Sequence, residues 1–208
     1  MRKKKFFFIV FEGVEGTGKS YQINKLYNKL KKKKFNIIKT REPGGTQTAE
    51  KIRNLIFSRK SNTLDALTDY YLLCASRNEH VKKLLHNAKK LKKIVLCDRF
   101  IDSTYAYQVI GNKINDKLNT LNQNYILKNL KPDLTIVLKS NFKTIFSRIK
   151  KRKKNNKFDK LKINFYKKVQ KAFLNKAKNN KKYYIFDSSD NTPDLEKKIF
   201  RLIIEKLN

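Results

Sequence analysis

Cysteine, tryptophan, methionine, proline and glycine are all scarce in this sequence of 208 residues. The chain has two cysteines, no tryptophan, one methionine, three prolines and six glycines. Cys74 and Cys97 form neither a CxxC metal pair nor a disulfide framework, so a small disulfide-stapled or metal-stapled protein is excluded. The sequence is instead long enough to fold around its own hydrophobic core, and we expect a reducing, cytoplasmic environment.

Acidic residues are scarce as well. Seventeen Asp and Glu accompany 51 Lys and Arg, which gives a formal net charge of +34. Such a charge suits a nucleic-acid binder. It also fits compositional drift in an A+T-rich genome, because the excess is nearly all lysine, spread along the chain among Asn, Ile, Phe and Tyr. We favour drift and predict salt-sensitive, nonspecific binding to polyanions without a specific nucleic-acid partner.

Long hydrophobic runs are absent. Phe6 to Phe11 follows a lysine-rich N-terminus as in a signal peptide, but this run is too short and lacks a cleavage site. No run approaches the ~20 apolar residues of a membrane span, so no membrane association is predicted. Hydrophobic residues still make up 39% of the chain and lie in discrete clusters, which excludes a disordered protein.

Five short apolar runs alternate with segments of helical period. The runs are Phe6 to Phe11, Phe35 to Lys39, Ile94 to Cys97, Leu134 to Leu138 and Tyr183 to Phe186. Continuous β-branched and aromatic runs predict strands that are buried on both faces of a parallel sheet.

The intervening segments have apolar residues at helical spacing. They are Ser20 to Lys32, Ala49 to Phe57, Leu64 to Leu85, Ile114 to Leu130, Phe142 to Ile149, Phe158 to Ala177 and Pro193 to Leu207. We therefore predict a single α/β domain over residues 1–208, with a doubly wound five-stranded parallel sheet and helices on both faces.

The segment from Gly13 to Ser20 reads GVEGTGKS and matches the phosphate-loop pattern G-x-x-x-x-G-K-[ST]. A predicted strand precedes it and a predicted helix follows it, so backbone N–H groups and the helix N-terminus would surround phosphate oxygens. Lys19 would reach the β and γ phosphates of ATP, and the Ser20 hydroxyl would bind Mg²⁺. The predicted ATP-binding residues are Gly13, Val14, Glu15, Gly16, Thr17, Gly18, Lys19 and Ser20.

Asp98 ends the third apolar run, where a carboxylate can hold the metal or its waters. Arg99 follows directly, and its guanidinium could neutralise charge during phosphoryl transfer. Asn156 to Asp159 spells N-K-x-D, which reads guanine in GTPases. Here this motif follows a basic stretch and not a buried strand, so a GTPase is not predicted.

Together with the phosphate loop, further motifs make the sequence resemble the thymidylate kinases, and specifically their bacterial branch. They are Phe11 to Ser20, Thr40 to Thr46, Ala49 to Arg53, Ala75 to Arg77, Asp98 to Phe100, Asp102 to Thr104, Ala106 to Gln108 and Pro132 to Thr135. The resemblance implies the fold of the P-loop NTP hydrolases and a homodimer. It also implies transfer of the γ phosphate of Mg-ATP to dTMP, giving dTDP for dTTP synthesis.

The resemblance also implies a dTMP site. Arg53 would bind the dTMP phosphate, Arg77 would donate to the thymine carbonyl, and Glu15 would accept from the sugar 3′ hydroxyl. Tyr107 would lie beneath the sugar and exclude a ribose. The implied dTMP-binding residues are Glu15, Arg53, Leu73, Arg77, Arg99, Thr104, Tyr107 and Gln108.

A short basic lid is expected at about residues 148–160. In the bacterial branch the lid carries arginines that close over ATP, and Arg148 and Arg152 are the candidates here. We therefore expect Lys19, Arg99, Asp98, Arg148 and Arg152 to be the catalytic residues, with Ser20 and Asp98 at the metal.

Four positions depart from the pattern of the family. Leu73 replaces the aromatic residue that stacks on thymine, Phe100 replaces a tyrosine, and Val109 replaces a common glycine. Asn156 to Asp159 lacks an arginine and a charge pair. We expect a slower or looser enzyme. Two alternatives stay open: another deoxynucleotide or deoxynucleoside kinase of this fold, or a basic nucleic-acid-binding protein with a phosphate loop.

Overall fold

The structure is a computed structural model that describes residues 5–58, 64–151, 162–178, 180–190 and 193–207. Its five strands are β1 (Phe7–Glu12), β2 (Ile37–Arg41), β3 (Ile94–Asp98), β4 (Leu134–Lys139) and β5 (Tyr183–Asp187). They form one parallel sheet in the order β2-β3-β1-β4-β5. The predicted number, direction and chain order of the strands are confirmed, and no boundary differs by more than two residues.

Nine α-helices connect or follow the strands in the described residues. They are α1 (Lys19–Lys32), α2 (Gln47–Phe57), α3 (Ala66–Glu79), α4 (His86–Lys90), α5 (Ile101–Thr104), α6 (Asp116–Leu127), α7 (Phe142–Lys150), α8 (Ile163–Ala177) and α9 (Pro193–Leu207). The predicted helix at Phe158 begins at Ile163 in the structure, and residues 158–161 lie outside the described residues.

Two π-helical segments interrupt this helical pattern. One, His80–Leu85, joins α3 to α4, and the other, Tyr105–Gly111, continues α5. The sequence predicts a single helical face across the first, and it shows no helical face at the second. A π-helix has a wider turn than the 3.6-residue period, and such segments recur at functional sites.

The hydrophobic core lies on both faces of the sheet. Ile9 and Phe11 of β1 pack with α1 and α9 on one face, whereas Phe8 and Val10 contact the segment that follows α3 on the other. This alternation follows from the two-residue period of a strand.

The prediction that every strand is buried on both faces is correct for the three central strands and wrong for the two at the edges. Strands β1, β3 and β4 are almost wholly buried, but β2 and β5 each carry several partly or fully exposed residues. Ile185 of β5, for example, is 43% exposed. An edge strand has only one neighbour in the sheet, so helices cover it less completely.

Candidate active site

The phosphate loop, residues 13–20, connects β1 to α1 at the carboxyl edge of the sheet. Gly13 and Gly16 adopt φ values of 135° and 76°. A Cβ atom on Gly13 would lie 2.2 Å from the carbonyl oxygen of Leu138, and one on Gly16 would lie 2.8 Å from that of Ile145. Glycine is therefore required at both positions by conformation and by space.

Lys19 is buried at the start of α1, with its ammonium group folded onto the loop. Its Nζ donates to the carbonyl oxygens of Gly13 and Val14, each at 2.9 Å. Burial and then Arg99 lower the pKa of Lys19 to about 8, against the opposing effect of Asp98. A phosphate anion in the loop would favour the charged form of this lysine and give it a stronger acceptor.

Ser20 and Asp98 meet because β1 and β3 are neighbours in the sheet. The Ser20 hydroxyl donates to Asp98 Oδ2 at 2.6 Å. Hydroxyl and carboxylate oxygens are hard ligands, and Mg²⁺ typically uses one or two protein oxygens together with waters and substrate phosphates. The pair therefore fits the predicted metal, and the described residues contain no cluster of three or more acidic, histidine or cysteine side chains that would bind a metal alone.

Arg99 lies directly after β3 in the left-handed backbone region, with φ of 72°. Its guanidinium donates to Ser103 Oγ at 3.0 Å and to Glu15 Oε1 at 2.7 Å, and it lies 5.1 Å from the centre of the Tyr107 ring. The Tyr107 hydroxyl donates to the other oxygen of Glu15. Burial favours the neutral form of Glu15, but Arg99 and Lys19 hold its pKa below the ordinary value. Glu15 is therefore an ionised acceptor.

Arg53 extends from α2 towards the same cleft. Its Nη1 donates to the Pro43 carbonyl at 2.8 Å, and its guanidinium lies 4.6 Å from the centre of the Phe57 ring. Burial and the nearby Arg41 lower the pKa of Arg53 to about 10. The guanidinium is thus positively charged at neutral pH, and its bidentate shape matches a phosphate dianion.

Arg77 on α3 is only 3% exposed but still borders the cleft. Its Nε donates to Glu42 Oε2 at 2.7 Å and its Nη1 to Gln123 Oε1 at 2.9 Å. Its Nη2 donates to the Phe100 carbonyl at 3.1 Å and to Thr104 Oγ1 at 2.9 Å. The guanidinium is therefore held between three parts of the chain.

These side chains enclose one cleft with about 980 Å³ of empty space, part of it open to solvent. Every residue predicted to bind dTMP lines this cleft, together with Lys19, Ser20 and Asp98. No role was predicted for several other lining residues, namely Arg41, Glu42, Pro43, Phe57, Phe100 and Ser103. Four of these six belong to the quoted motifs Thr40 to Thr46 and Asp98 to Phe100, and Ser103 to the motif Asp102 to Thr104. Motif membership was thus the only signal available for these five, and Phe57 lies in none of the motifs.

Arg148 lies behind the phosphate loop and not in the cleft. Its Nη1 donates to the Gly16 carbonyl at 3.2 Å, and its Nη2 donates to the carbonyls of Ser188 and Ser189 at 2.9 and 3.1 Å. In this arrangement it ties the phosphate loop to the segment after β5. Arg152 and Asn156 to Asp159 lie outside the described residues.

A phosphate loop on a β2-β3-β1-β4-β5 parallel sheet, joined to an arginine-rich cleft, defines a P-loop nucleotide phosphotransferase. The thymidylate kinase family model matches residues 11–199. The chain belongs to the thymidylate kinase family.

Individual relatives agree with this assignment. The chain is 36% identical to a thymidylate kinase of Mycoplasma capricolum, over 96% of this chain and 95% of the relative. It is 41% identical to that of Wolbachia pipientis, over 80% and 82%. A crystal structure of thymidylate kinase from Ehrlichia chaffeensis superimposes with a TM-score of 0.77 at 30% identity, covering 98% of this chain and all of the other. The predicted family and fold are confirmed, and the two alternative functions are not favoured.

Proposed function

We propose that this protein transfers the γ phosphate of ATP to the phosphate of dTMP, forming dTDP and ADP. The observation that carries the proposal is the cleft itself, in which Lys19, Arg53 and Arg99 converge beside Glu15 and Tyr107. Two phosphorylated substrates need positive charge along their shared phosphate chain, and a nucleoside needs a polar and aromatic pocket at its end.

The ATP end of the cleft is the phosphate loop, residues 13–20. Lys19 exchanges its two carbonyl acceptors for the β and γ phosphates, while the backbone of the loop cradles them. Arg99 stabilises the negative charge that spreads over the transferring group. Arg99 is held by Glu15 and Ser103 before the reaction, so this cation needs little reorganisation in the transition state.

Magnesium is the proposed metal, with Ser20 and Asp98 as the residues that would hold it directly or through water. When bound, it would neutralise phosphate charge and act as a Lewis acid on the phosphoryl oxygens. The cytoplasm, where Mg-ATP is abundant, is the proposed location. In the described residues no helix is long and apolar enough to cross a bilayer.

The dTMP end of the cleft combines residues that precede β3 in the chain with residues that follow it. Arg53 takes the phosphate, Glu15 accepts from the 3′ hydroxyl, and the Tyr107 ring occupies the space that a 2′ hydroxyl would need. Arg77, Thr104 and Gln108 are placed at the base, with Leu73 against its face. Because Tyr107 is bound to Glu15, the group that selects deoxyribose and the group that reads the 3′ hydroxyl support each other.

The lid proposal is that residues 148–160 close over ATP. The contact from Arg148 to Gly16 links this segment to the phosphate loop. Arg152 supplies charge to the transferring phosphoryl group, whereas Arg148 acts by holding the loop. We also propose that the whole chain, residues 1–208, functions as one domain within a homodimer.

The test is ADP production from Mg-ATP at about 0.15 M salt with dTMP, dUMP, dCMP, dGMP, the ribose analogue of dTMP, and thymidine as acceptors. We expect clear preference for dTMP. Lys19→Ala should lower kcat by roughly 10³-fold because it removes a preorganised cation. Lys25→Ala, on the exposed face of the same helix, is the matched control and should leave kcat unchanged. Preference for another acceptor would contradict the proposal.

A further inference from the structure

His80 is fully buried at the point where α3 becomes π-helical, and it belongs to none of the roles described above. Its Nδ1 lies 2.8 Å from Glu42 Oε1, and its Nε2 lies 2.8 Å from Thr40 Oγ1. Glu42 follows β2, so the imidazole connects the end of a strand to a helix. Its two nitrogens face different partners, which allows their contributions to be separated.

Glu42 is the link between His80 and the cleft. Its carboxylate accepts from His80 Nδ1 through Oε1 and from Arg77 Nε through Oε2, at 2.8 and 2.7 Å. Burial would raise the pKa of Glu42, but Arg77 and His80 lower it below the ordinary value. An ionised carboxylate can only accept, so Nδ1 carries a proton. With one oxygen held by His80, the carboxylate plane is fixed and the other oxygen faces Arg77.

The glycine turn after Glu42 packs against the imidazole from the other side. A Cβ atom on Gly45 would lie 2.7 Å from His80 Cδ2 and 2.5 Å from Thr40 Oγ1. The φ of Gly45 is 89°, which also favours glycine at this position. The buried ring is thus packed between the turn, Thr40 and Glu42.

The orientation of Arg77 matters because few of its donors are available to a ligand. A guanidinium has five N–H groups. In the described part of the chain four of them are paired, with Glu42, Gln123, the Phe100 carbonyl and Thr104. One N–H on Nη1 is left for a ligand in the cleft that Arg77 borders. A single donor discriminates between ligands only if its direction is fixed.

We propose that His80 is a positioning residue that acts through Glu42 to aim the remaining N–H of Arg77 at the 4-carbonyl of thymine. The proposal rests on the proposed function, in which Arg77 reads the base. Cytosine has an amino group where thymine has this carbonyl, so it presents a donor to a donor. The His80–Glu42 contact therefore contributes to the rejection of dCMP and not only to folding.

His80→Asn and His80→Gln test this route. An asparagine amide nitrogen can take the place of Nδ1 and keep the bond to Glu42, whereas a glutamine amide nitrogen takes the place of Nε2 and keeps only the contact to Thr40. The measured quantity is kcat/KM for dTMP divided by kcat/KM for dCMP. We expect His80→Gln to lower this ratio by roughly tenfold, the worth of one oriented hydrogen bond. His80→Asn should change the ratio by no more than about twofold from wild type. Neither variant should change the KM for ATP.

A purely structural role would lower Tm in both variants and leave the ratio unchanged, and this result would overturn the proposal. An equal decrease of the dTMP-to-dCMP ratio in both variants would also overturn the proposal. The same two substitutions at His86, the second histidine of the chain, are the matched controls and should change nothing. If His80→Gln does not fold, His80→Leu provides the same test, because it also removes the donor to Glu42 Oε1 and leaves the contact of Glu42 with Arg77 in place.

The proposed function and the role of His80 can be contradicted separately. Wild-type protein that phosphorylates a different acceptor would contradict the proposed function. Wild-type protein that prefers dTMP, with a ratio unaffected by folded His80→Gln, would contradict only the role of His80.

Discussion

At the residue scale, Leu73 is the position where the cleft departs most from its family. It lies half-buried on α3 among the cleft residues, at the position where the resemblance to the family implies an aromatic side chain. A leucine covers a base but lacks the ring-on-ring stacking that an aromatic side chain provides. Base–aromatic stacking is typically worth about 1 kcal/mol or more. Loss of this contact is expected to weaken dTMP binding without impairing phosphoryl transfer.

Leu73→Phe should therefore lower the KM for dTMP by roughly fivefold, the effect of about 1 kcal/mol, and leave the KM for ATP unchanged. Steady-state kinetics with each substrate varied in turn measures this. Leu72→Phe, on the same helix but outside the cleft, is the control for the added ring. An unchanged KM for dTMP in Leu73→Phe would show that stacking is not the missing interaction.

Motifs predicted which residues lie in the cleft, but they did not predict the contacts between those residues. Glu15, Arg53 and Tyr107 were all found from local patterns, and all three line the cleft. The bond from Arg77 to Gln123 joins residues 46 positions apart, and its geometry depends on how α3 packs on α6. No periodicity or motif of a single sequence specifies such a distance. His80 was missed for the same reason.

At the element scale, the residue that ends one strand stabilises the start of the helix that follows the neighbouring strand. Glu12 ends β1, and its carboxylate accepts from the backbone N–H of Phe100 at 2.8 Å and of Ser103 at 3.2 Å. These donors lie at the first turn of α5, where they have no partners within the helix. Glu12 also accepts from Ser103 Oγ, which in turn accepts from Arg99. The same carboxylate thus orders the helix and the arginine.

Burial, and then the charge of Asp102, raise the pKa of Glu12 from 4.5 to about 7. Between these two values the folded protein keeps the proton and the unfolded chain releases it. The unfolded state then binds fewer protons, so through this group the free energy of unfolding decreases as pH rises from about 4.5 to about 7. Above that range both states are ionised and the contribution is constant.

Glu12→Gln should remove this pH dependence. Urea unfolding at constant salt measures the free energy of unfolding of both proteins at pH 5 and pH 7.5. The free energy of unfolding of wild type minus that of Glu12→Gln should be about 2 kcal/mol larger at pH 5 than at pH 7.5. Glu205→Gln, on the exposed surface of α9, should show no such change. An equal difference for Glu12→Gln at both pH values would contradict a raised pKa.

Elements were predictable from the sequence where regular periodicity decides the structure, and not elsewhere. The strands are short continuous apolar runs and the long helices bury apolar residues at a period of 3.6, so their presence follows from pattern alone. The π-helical segment Tyr105–Gly111 has neither period, and it carries Tyr107 and Gln108. The exposure of β5 depends on which strand becomes the edge of the sheet, and that is a property of the complete fold.

At the scale of the whole molecule, the charge and the apolar surface have opposite effects on self-association. A net charge of +34 makes identical chains repel each other. Yet Leu67 and Tyr71 lie one turn apart on α3 and are 44% and 49% exposed, and Leu121 and Tyr125 lie one turn apart on α6 and are 68% and 84% exposed. The two helices pack against each other. We propose these exposed apolar side chains of α3 and α6 as the homodimer contact.

The balance between the two effects determines how the dimer responds to salt. Added salt screens the repulsion and leaves hydrophobic contact intact, so the dimer should be more stable at about 0.3 M salt than at low salt. Tyr125→Lys should convert the protein to monomers, because it places a charge and its copy in a buried contact. Leu91→Lys, at an exposed apolar position at the end of α4, should leave the mass unchanged. Sedimentation equilibrium measures the mass. A monomeric wild type at both salt concentrations would mean that repulsion prevails and that the cleft works within a single chain.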